Sequence, residues 1–164
     1  MSRFFLRKGG KPPAPPFEDV MQEAATWAVS DMKGVSFDSV RSSQFQRLFD
    51  FIDGRHIPMT VPVVMSEVAG KYTMWFKIDP EHASRATDAP GVRIVHTDAR
   101  KMRVYAFDGF LVYANDGGVQ HAVKMLRDAG VAVEDGNYLV AQYNSPLAPY
   151  RHNEVWIPHS EGKP

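Results

Sequence analysis

Six histidines, eight methionines and no cysteine bound the ligand chemistry open to this chain. Without a thiol there is no disulfide, no thiolate metal site and no cysteine nucleophile. None of His56, His82, His96, His121, His152 and His159 sits in a helical i, i+4 pair of the kind that grips a metal. Only His56, after Gly54 and before Met59, is kept as a possible metal ligand; the others read as solvated surface. Met21, Met59 and Met65 are soft ligands, but methionine more often fills irregular core space. Arg151-His152-Asn153-Glu154 offers one carboxylate with no nucleophile or second acid, so Glu154 reads as a structural partner in a sheet or turn. Gly117-Gly118 lacks the surrounding pattern of a phosphate loop. No catalytic set assembles, and the chain is expected not to be an enzyme. The remaining chemistry belongs to Arg41 and Arg47, whose guanidinium forks suit carboxylates.

The segment carrying those arginines runs from Ser36 to Val64 and reads as helix, glycine stop and strand. Ser36 is a fitting N-cap, with Asp38 placing negative charge in the first turn. Phe37, Val40, Gln44, Phe45, Leu48, Phe51 and Ile52 recur at three- and four-residue steps, the spacing of one helix face. Phe49 widens that face, and Arg41 and Arg47 flank it. Gly54 is expected to supply the left-handed residue that ends the helix. Met59, Val61, Val63 and Met65 then alternate with Thr60, Pro62, Val64 and Ser66, the two-residue period of a strand. Pro62 has no N–H to give a ladder and belongs at an edge or bulge. A broad aromatic face with arginines at its margins could hold a flat apolar ligand bearing acidic groups. A helix packed on a sheet is the more ordinary source of such a stripe, and both readings stand at this point.

At 164 residues, 44% hydrophobic and 23% charged, the chain fits one globular domain. Nineteen basic residues balance nineteen acidic ones, which gives no general electrostatic reason to bind nucleic acid or an anionic membrane. Phe4-Phe5-Leu6 is too short for a secretory core, and no run approaches the roughly 20 apolar residues of a membrane span. Cytoplasm is the expectation, with a short organellar address at the N-terminus as the alternative. Residues 1–16 form a proline-rich tail, a possible docking peptide for protein partners. Residues 17–160 form the domain, and 161–164 a C-terminal tail.

Along the domain, a first strand is expected near 20–33, then the helix and strand above. A turn around Val68–Lys71 leads to a strand over Tyr72–Ile78, and a polar loop follows over 80–91. Short strands follow at Val92–Val95 and Met102–Phe107, the second continuing through Phe110–Tyr113. A turn at Asn115–Gly118 opens a second helix with Val119, Ala122, Val123 and Leu126 on its apolar stripe and Gly130 at its end. Tyr138–Tyr143 and Glu154–Ile157 are the last strands. The halves repeat: strand, helix, glycine (Gly54, Gly130), strand with a proline near (Pro62, Pro146), then a tryptophan-bearing strand (Trp75, Trp156). An α+β fold follows, a distorted eight-stranded β-barrel of two βαββ repeats with two flanking α-helices. Trp75 and Trp156 would be core anchors.

Four stretches carry a family resemblance. Ile57-Pro58-Met59-Thr60-Val61-Pro62-Val63 is similar to the Met-Thr-x-Pro-[Val/Ile] signature of the SOUL/haem-binding protein family. Tyr143-Asn144-Ser145-Pro146 with Arg151-His152-Asn153-Glu154-Val155-Trp156 resembles its C-terminal signature. Phe107-Asp108-Gly109-Phe110 and Ala24-Ala25-Thr26-Trp27 fit in order and spacing. The likeness spans about residues 17–158 and is nearest to the haem-binding protein 1 branch. It implies the same barrel fold and reversible, non-enzymatic binding of haem or another tetrapyrrole in an apolar groove along the first helix. Arg47 matches the family's basic residue there, Phe45, Leu48 and Phe51 its apolar neighbours, and Met59 its signature methionine. With Arg41 and Ile52, these make the expected binding set. Met21 stands where some relatives carry a ligating histidine, and Val20 matches a family arginine, which argues against histidine ligation. His56 is then the one axial candidate, and no other metal site is expected. The alternatives are a general module for apolar small molecules and a protein-interaction domain of the same barrel.

Overall fold

The computed structural model describes residues 16–108, 119–143 and 152–159. Their elements run β1 (Phe17–Gln22), β2 (Ala25–Lys33), α1 (Phe37–Gly54), β3 (Val63–Val68), β4 (Lys71–Ile78), β5 (Arg93–Thr97), β6 (Arg100–Asp108), α2 (Val119–Asp128), β7 (Leu139–Gln142) and β8 (His152–Pro158). A short 3-10 helix, Pro80–Arg85, lies within the polar stretch after β4. The expected strand over 110–113 and the turn at 115–118 fall outside the described residues, as does Pro146.

The eight strands make one antiparallel sheet in the order β1-β6-β8-β7-β3-β4-β2-β5. Read from its centre, the order is a palindrome of two repeats, with β3, β4, β2 and β5 answering β7, β8, β6 and β1. The predicted βαββ units are β2-α1-β3-β4 and β6-α2-β7-β8. Each is preceded by a strand that pairs in the other half, because β1 lies on β6 and β5 on β2. The expected single strand over 20–33 is therefore two strands, parted at Glu23-Ala24 and lying near opposite ends of the order. Glu23-Ala24 and Asp98-Ala99 each carry the chain across in two residues, a reach of about 10 Å. The sheet must curl until its ends nearly meet, which gives the distorted barrel.

Helix ends follow their chemistry with one exception. Ser36 caps α1 by accepting from the Ser39 backbone N–H, and the Ser39 side chain closes the capping box. The left-handed residue after α1 is not Gly54 but His56, at φ 56, with Gly54 still inside the helix. Gly130, at φ 90, does take that conformation after α2. Ala69 and Gly70, both at positive φ, turn β3 into β4. β3 begins at Val63, so Met59–Val61 precede the strand, and Pro62 stands just outside the ladder, where its missing N–H costs nothing.

Both faces of the sheet are packed. On the outer face, α1 lays Phe37, Val40, Leu48, Phe51 and Ile52 against Tyr72, Met74, Phe76 and Ile78 of β4, and α2 adds Ala122, Val123 and Leu126 to the same core. Gln44, in the middle of the α1 stripe and only 2% exposed, donates its amide to the carbonyls of Ser30 (2.9 Å) and Tyr72 (2.8 Å). The inner face holds a smaller cluster of Val64, Met102, Val104, Ala141 and Trp156, with Trp27, Trp75 and Tyr143 packed on it. β1 is pinned by Asp19, which accepts from Arg103 (2.9 Å) and from His159 Nε2 (2.8 Å). Those hydrogen bonds, Arg103 first, hold the Asp19 carboxyl well below the usual carboxylate range. His159 is thus a tied residue rather than a solvated one.

Candidate functional site

The expected binding residues divide by depth. Leu48, Phe51 and Ile52 are 0%, 5% and 2% exposed and belong to the outer core. Phe45 and Met59 are 39% and 38% exposed, and Phe49 and Val61 join them at the surface. Phe45 meets the buried Phe76 ring edge-on, with centroids 5.3 Å apart, and stacks with Phe49 at 6.2 Å. The Thr60 hydroxyl donates to the carbonyl of Lys77, tying the Met59–Val61 segment to the end of β4 on which Phe45 packs. An apolar strip of Phe45, Phe49, Met59 and Val61 thus edges α1 beside that end of β4.

The two arginines take opposite margins of the helix. Arg41 precedes Phe45 by four residues, so the two are neighbours on one flank. Arg47 donates to Ser30 Oγ at 3.3 Å, and its side chain runs over Gly91, where a Cβ would lie 3.1 Å from its Cδ. The exposed strip therefore adjoins Arg41, while Arg47 packs between α1 and the β2–β5 edge.

The axial candidate His56 is exposed, and its carbonyl accepts from Arg85 at 2.6 Å. His96 pairs through Nδ1 with Thr26 Oγ1 at 3.0 Å. His82 differs from the solvated residue expected: its ring is largely covered, and Nδ1 is buried without a hydrogen-bond partner. The side chains of His121 and His152 lie outside the described residues. Among the described residues no three His, Asp or Glu side chains converge as metal ligands would. Met21 is exposed on β1, which pairs with β6 and lies away from α1.

The inner face carries a second recess that sequence reading did not assemble. All eight strands contribute to a cavity of about 920 Å³, among whose walls are Trp27, Trp75, Trp156, Tyr143, Val64 and Met102. Trp27 and Trp75 meet edge to face at 6.0 Å. Glu154 Oε1 accepts from both the Tyr143 hydroxyl and the Trp156 indole N–H, each at 2.8 Å. The partner role expected for Glu154 is this bracket. Burial first, and the hydrogen bond to Glu154 second, push the Tyr143 hydroxyl far above its ordinary value, so it stays a neutral donor. The only early signal was the two-residue spacing of Glu154 and Trp156, which puts both on one face of a strand.

Among solved structures, the fold is similar to that of a hydrolase from Listeria innocua, with a TM-score of 0.56, 9% identity and coverage of 90% of this chain and 94% of that one. It is similar to SAV2435 bound to tetraphenylphosphonium, with a TM-score of 0.54, 9% identity and coverage of 90% and 99%. The EcmrR C-terminal domain has a TM-score of 0.56 at 8% identity, with coverage of 87% and 96%. At such identities these likenesses show the fold alone. No curated protein sequence matches the chain. The family described as SOUL heme-binding protein matches residues 12–158, a span that takes in every described strand and both helices. By that match the chain belongs to the SOUL haem-binding protein family.

Proposed function

We propose that this protein reversibly binds haem or a related tetrapyrrole on the outer flank of α1, as a non-enzymatic cytoplasmic buffer or carrier of the haem-binding protein 1 type. The observation that carries the reading is the exposed strip of Phe45, Phe49 and Met59 beside Arg41, on a helix whose other large apolar residues are buried. Covering such a strip stabilises a flat apolar ligand by about 25 cal/mol per Å² of surface removed from water. Arg41 takes a propionate by a charge-assisted pair. Leu48, Phe51 and Ile52 form the floor that holds the strip rigid, and Arg47 steadies the far flank. Binding rests on apolar contact rather than on an iron–histidine bond, a reading supported by Met21 at the position of the relatives' ligand.

Titration of the purified protein and its Phe49→Asp variant with haem and protoporphyrin IX tests this. Phe49 is exposed, so the variant is expected to keep its melting temperature and lose tenfold or more in affinity for both ligands. Unchanged affinity in a folded variant would move the site away from α1.

A further inference from the structure

We propose that Met59 is an oxidation site through which peroxide lowers the protein's hold on its porphyrin, an inference that rests on the α1 site proposed above. The chain has no cysteine, so methionine is its one sulfur-bearing residue open to peroxide. Exposure decides which methionines react. Among the described methionines, Met65, Met74 and Met102 are buried, and Met32 is half-buried against the outer core. Met21, Met59 and Met125 are exposed. Met21 lies on β1 and Met125 on α2, whereas Met59 belongs to the strip it shares with Phe45 and Phe49.

The chain holds Met59 in place from both sides. Ile57 before it is buried, and its N–H donates to the carbonyl of Ile52 at 2.9 Å. After it, the Thr60 hydroxyl donates to the Lys77 carbonyl, and Pro62 is buried. The segment is thus anchored at the edge of the strip although it belongs to neither helix nor strand.

The step is an oxygen transfer. The thioether sulfur takes one oxygen of hydrogen peroxide, the O–O bond breaks, and the other oxygen leaves as water. Sulfur loses two electrons and peroxide gains them, so no further reagent enters. The product weighs on the bound state alone. In the free protein the sulfoxide oxygen is exposed and solvated. Beneath a porphyrin it loses its water and meets aromatic carbon, where an unpaired polar group is costly. A change that penalises one state shifts the population to the other, and the porphyrin is released. By the same covering, bound porphyrin shields Met59 from peroxide.

Titration of the full chain with protoporphyrin IX in the dark, before hydrogen peroxide treatment and after its removal, tests the inference. This porphyrin has no iron to react with peroxide, and peptide mass spectrometry follows the oxygen added at each methionine. Complete oxidation of Met59 is expected to weaken binding about tenfold at an unchanged melting temperature. Both methionine sulfoxide reductases, supplied with dithiothreitol, should restore it. Met59→Leu is expected to bind alike before and after peroxide, whereas Met21→Leu with Met125→Leu keeps the full effect. Met59→Gln, a permanent polar group at the same place, should reproduce the loss without peroxide. Saturating porphyrin should slow oxidation at Met59 severalfold and leave Met21 and Met125 unaffected. Affinity unmoved by complete oxidation of Met59, an equal loss in Met59→Leu, or no shielding would each overturn the inference. Phe49→Asp separates that failure from failure of the site: a loss there leaves the α1 site standing, and unchanged affinity in the folded variant overturns both.

Discussion

Phe45 and Arg47, two residues apart on α1, lie on opposite flanks of the helix. The Phe45 ring packs on Phe76 with centroids 5.3 Å apart, while the Arg47 guanidinium reaches Ser30 Oγ at 3.3 Å. Two residues turn a helix by about 200°, so the apolar strip and this arginine cannot face one ligand edge together.

Arg41 is therefore expected to matter more than Arg47 for acidic porphyrins. Arg41→Glu should weaken binding of a dicarboxylate porphyrin about tenfold and barely affect its dimethyl ester, and Arg47→Glu should do less to either. Fluorescence titrations of acid and ester against both variants check this; equal losses for acid and ester would separate Arg41 from the carboxylates.

Iron should contribute little to affinity. Metal-free protoporphyrin IX is expected to bind within about tenfold of haem, a difference below roughly 1.4 kcal/mol. His56 holds φ 56, a conformation asparagine tolerates, so His56→Asn is the clean probe of axial ligation. An unchanged Soret band and affinity are expected; a shifted band with a large loss would make His56 the axial ligand.

Gln44 joins α1 to two strands at once. Gln44→Leu keeps an apolar side chain but strips the carbonyls of Ser30 and Tyr72 of this donor. A loss of about 2 kcal/mol in urea unfolding is expected, as for other buried polar groups that lose a partner.

Asp31 makes stability depend on acid. Hydrogen bonds from Arg93 lead in holding its carboxyl below its ordinary 3.8, Thr73 adding to them and burial opposing. A carboxyl lowered in the folded state contributes fully above 3.8, and that contribution fades as pH falls from there through its depressed folded value. Asp31→Asn should therefore cost about 1 kcal/mol near neutral pH, with the gap to the parent narrowing below pH 3.8. Urea titrations at several pH values measure it; a gap constant down to low pH would remove Asp31 from the account.

Tyr143 works at the other end of the scale. Its folded value is raised, so its contribution is complete below the ordinary 10.0 and is lost as pH rises beyond it. Spectrophotometric titration of the parent against Tyr143→Phe isolates this group: the ionisation the variant lacks should come only well above pH 10.0.

Much of the fold was legible because it is written in local periods. The stripe from Phe37 to Ile52, the glycine at 130 and the repeated order of helix and tryptophan-bearing strand led to two helices and a curled sheet of two repeats. What stayed hidden depends on distant pairing. From Val20 to Lys33 no glycine or proline marks the point where the chain leaves β1 for β2, and only the pairing of β1 with β6 shows it. Trp27, Trp75 and Trp156 are far apart in sequence, and the curl alone brings them around one space. On α1 the apolar stripe named the right residues without ranking them by depth. Leu48 and Phe45 look alike in a helical period, yet one is core and the other surface.

Each repeat gives away the strand that would complete its own half and receives the equivalent strand in exchange. Neither repeat is self-sufficient, so unfolding should be one cooperative event, and a cut within β5–β8 should cost both halves together. A fragment ending after β4 would keep β1 with its proper neighbour gone. Because β1 and β5 hold equivalent places, two such fragments could each lend β1 to the other and rebuild a full sheet. The present single chain can be read as that homodimer fused end to end.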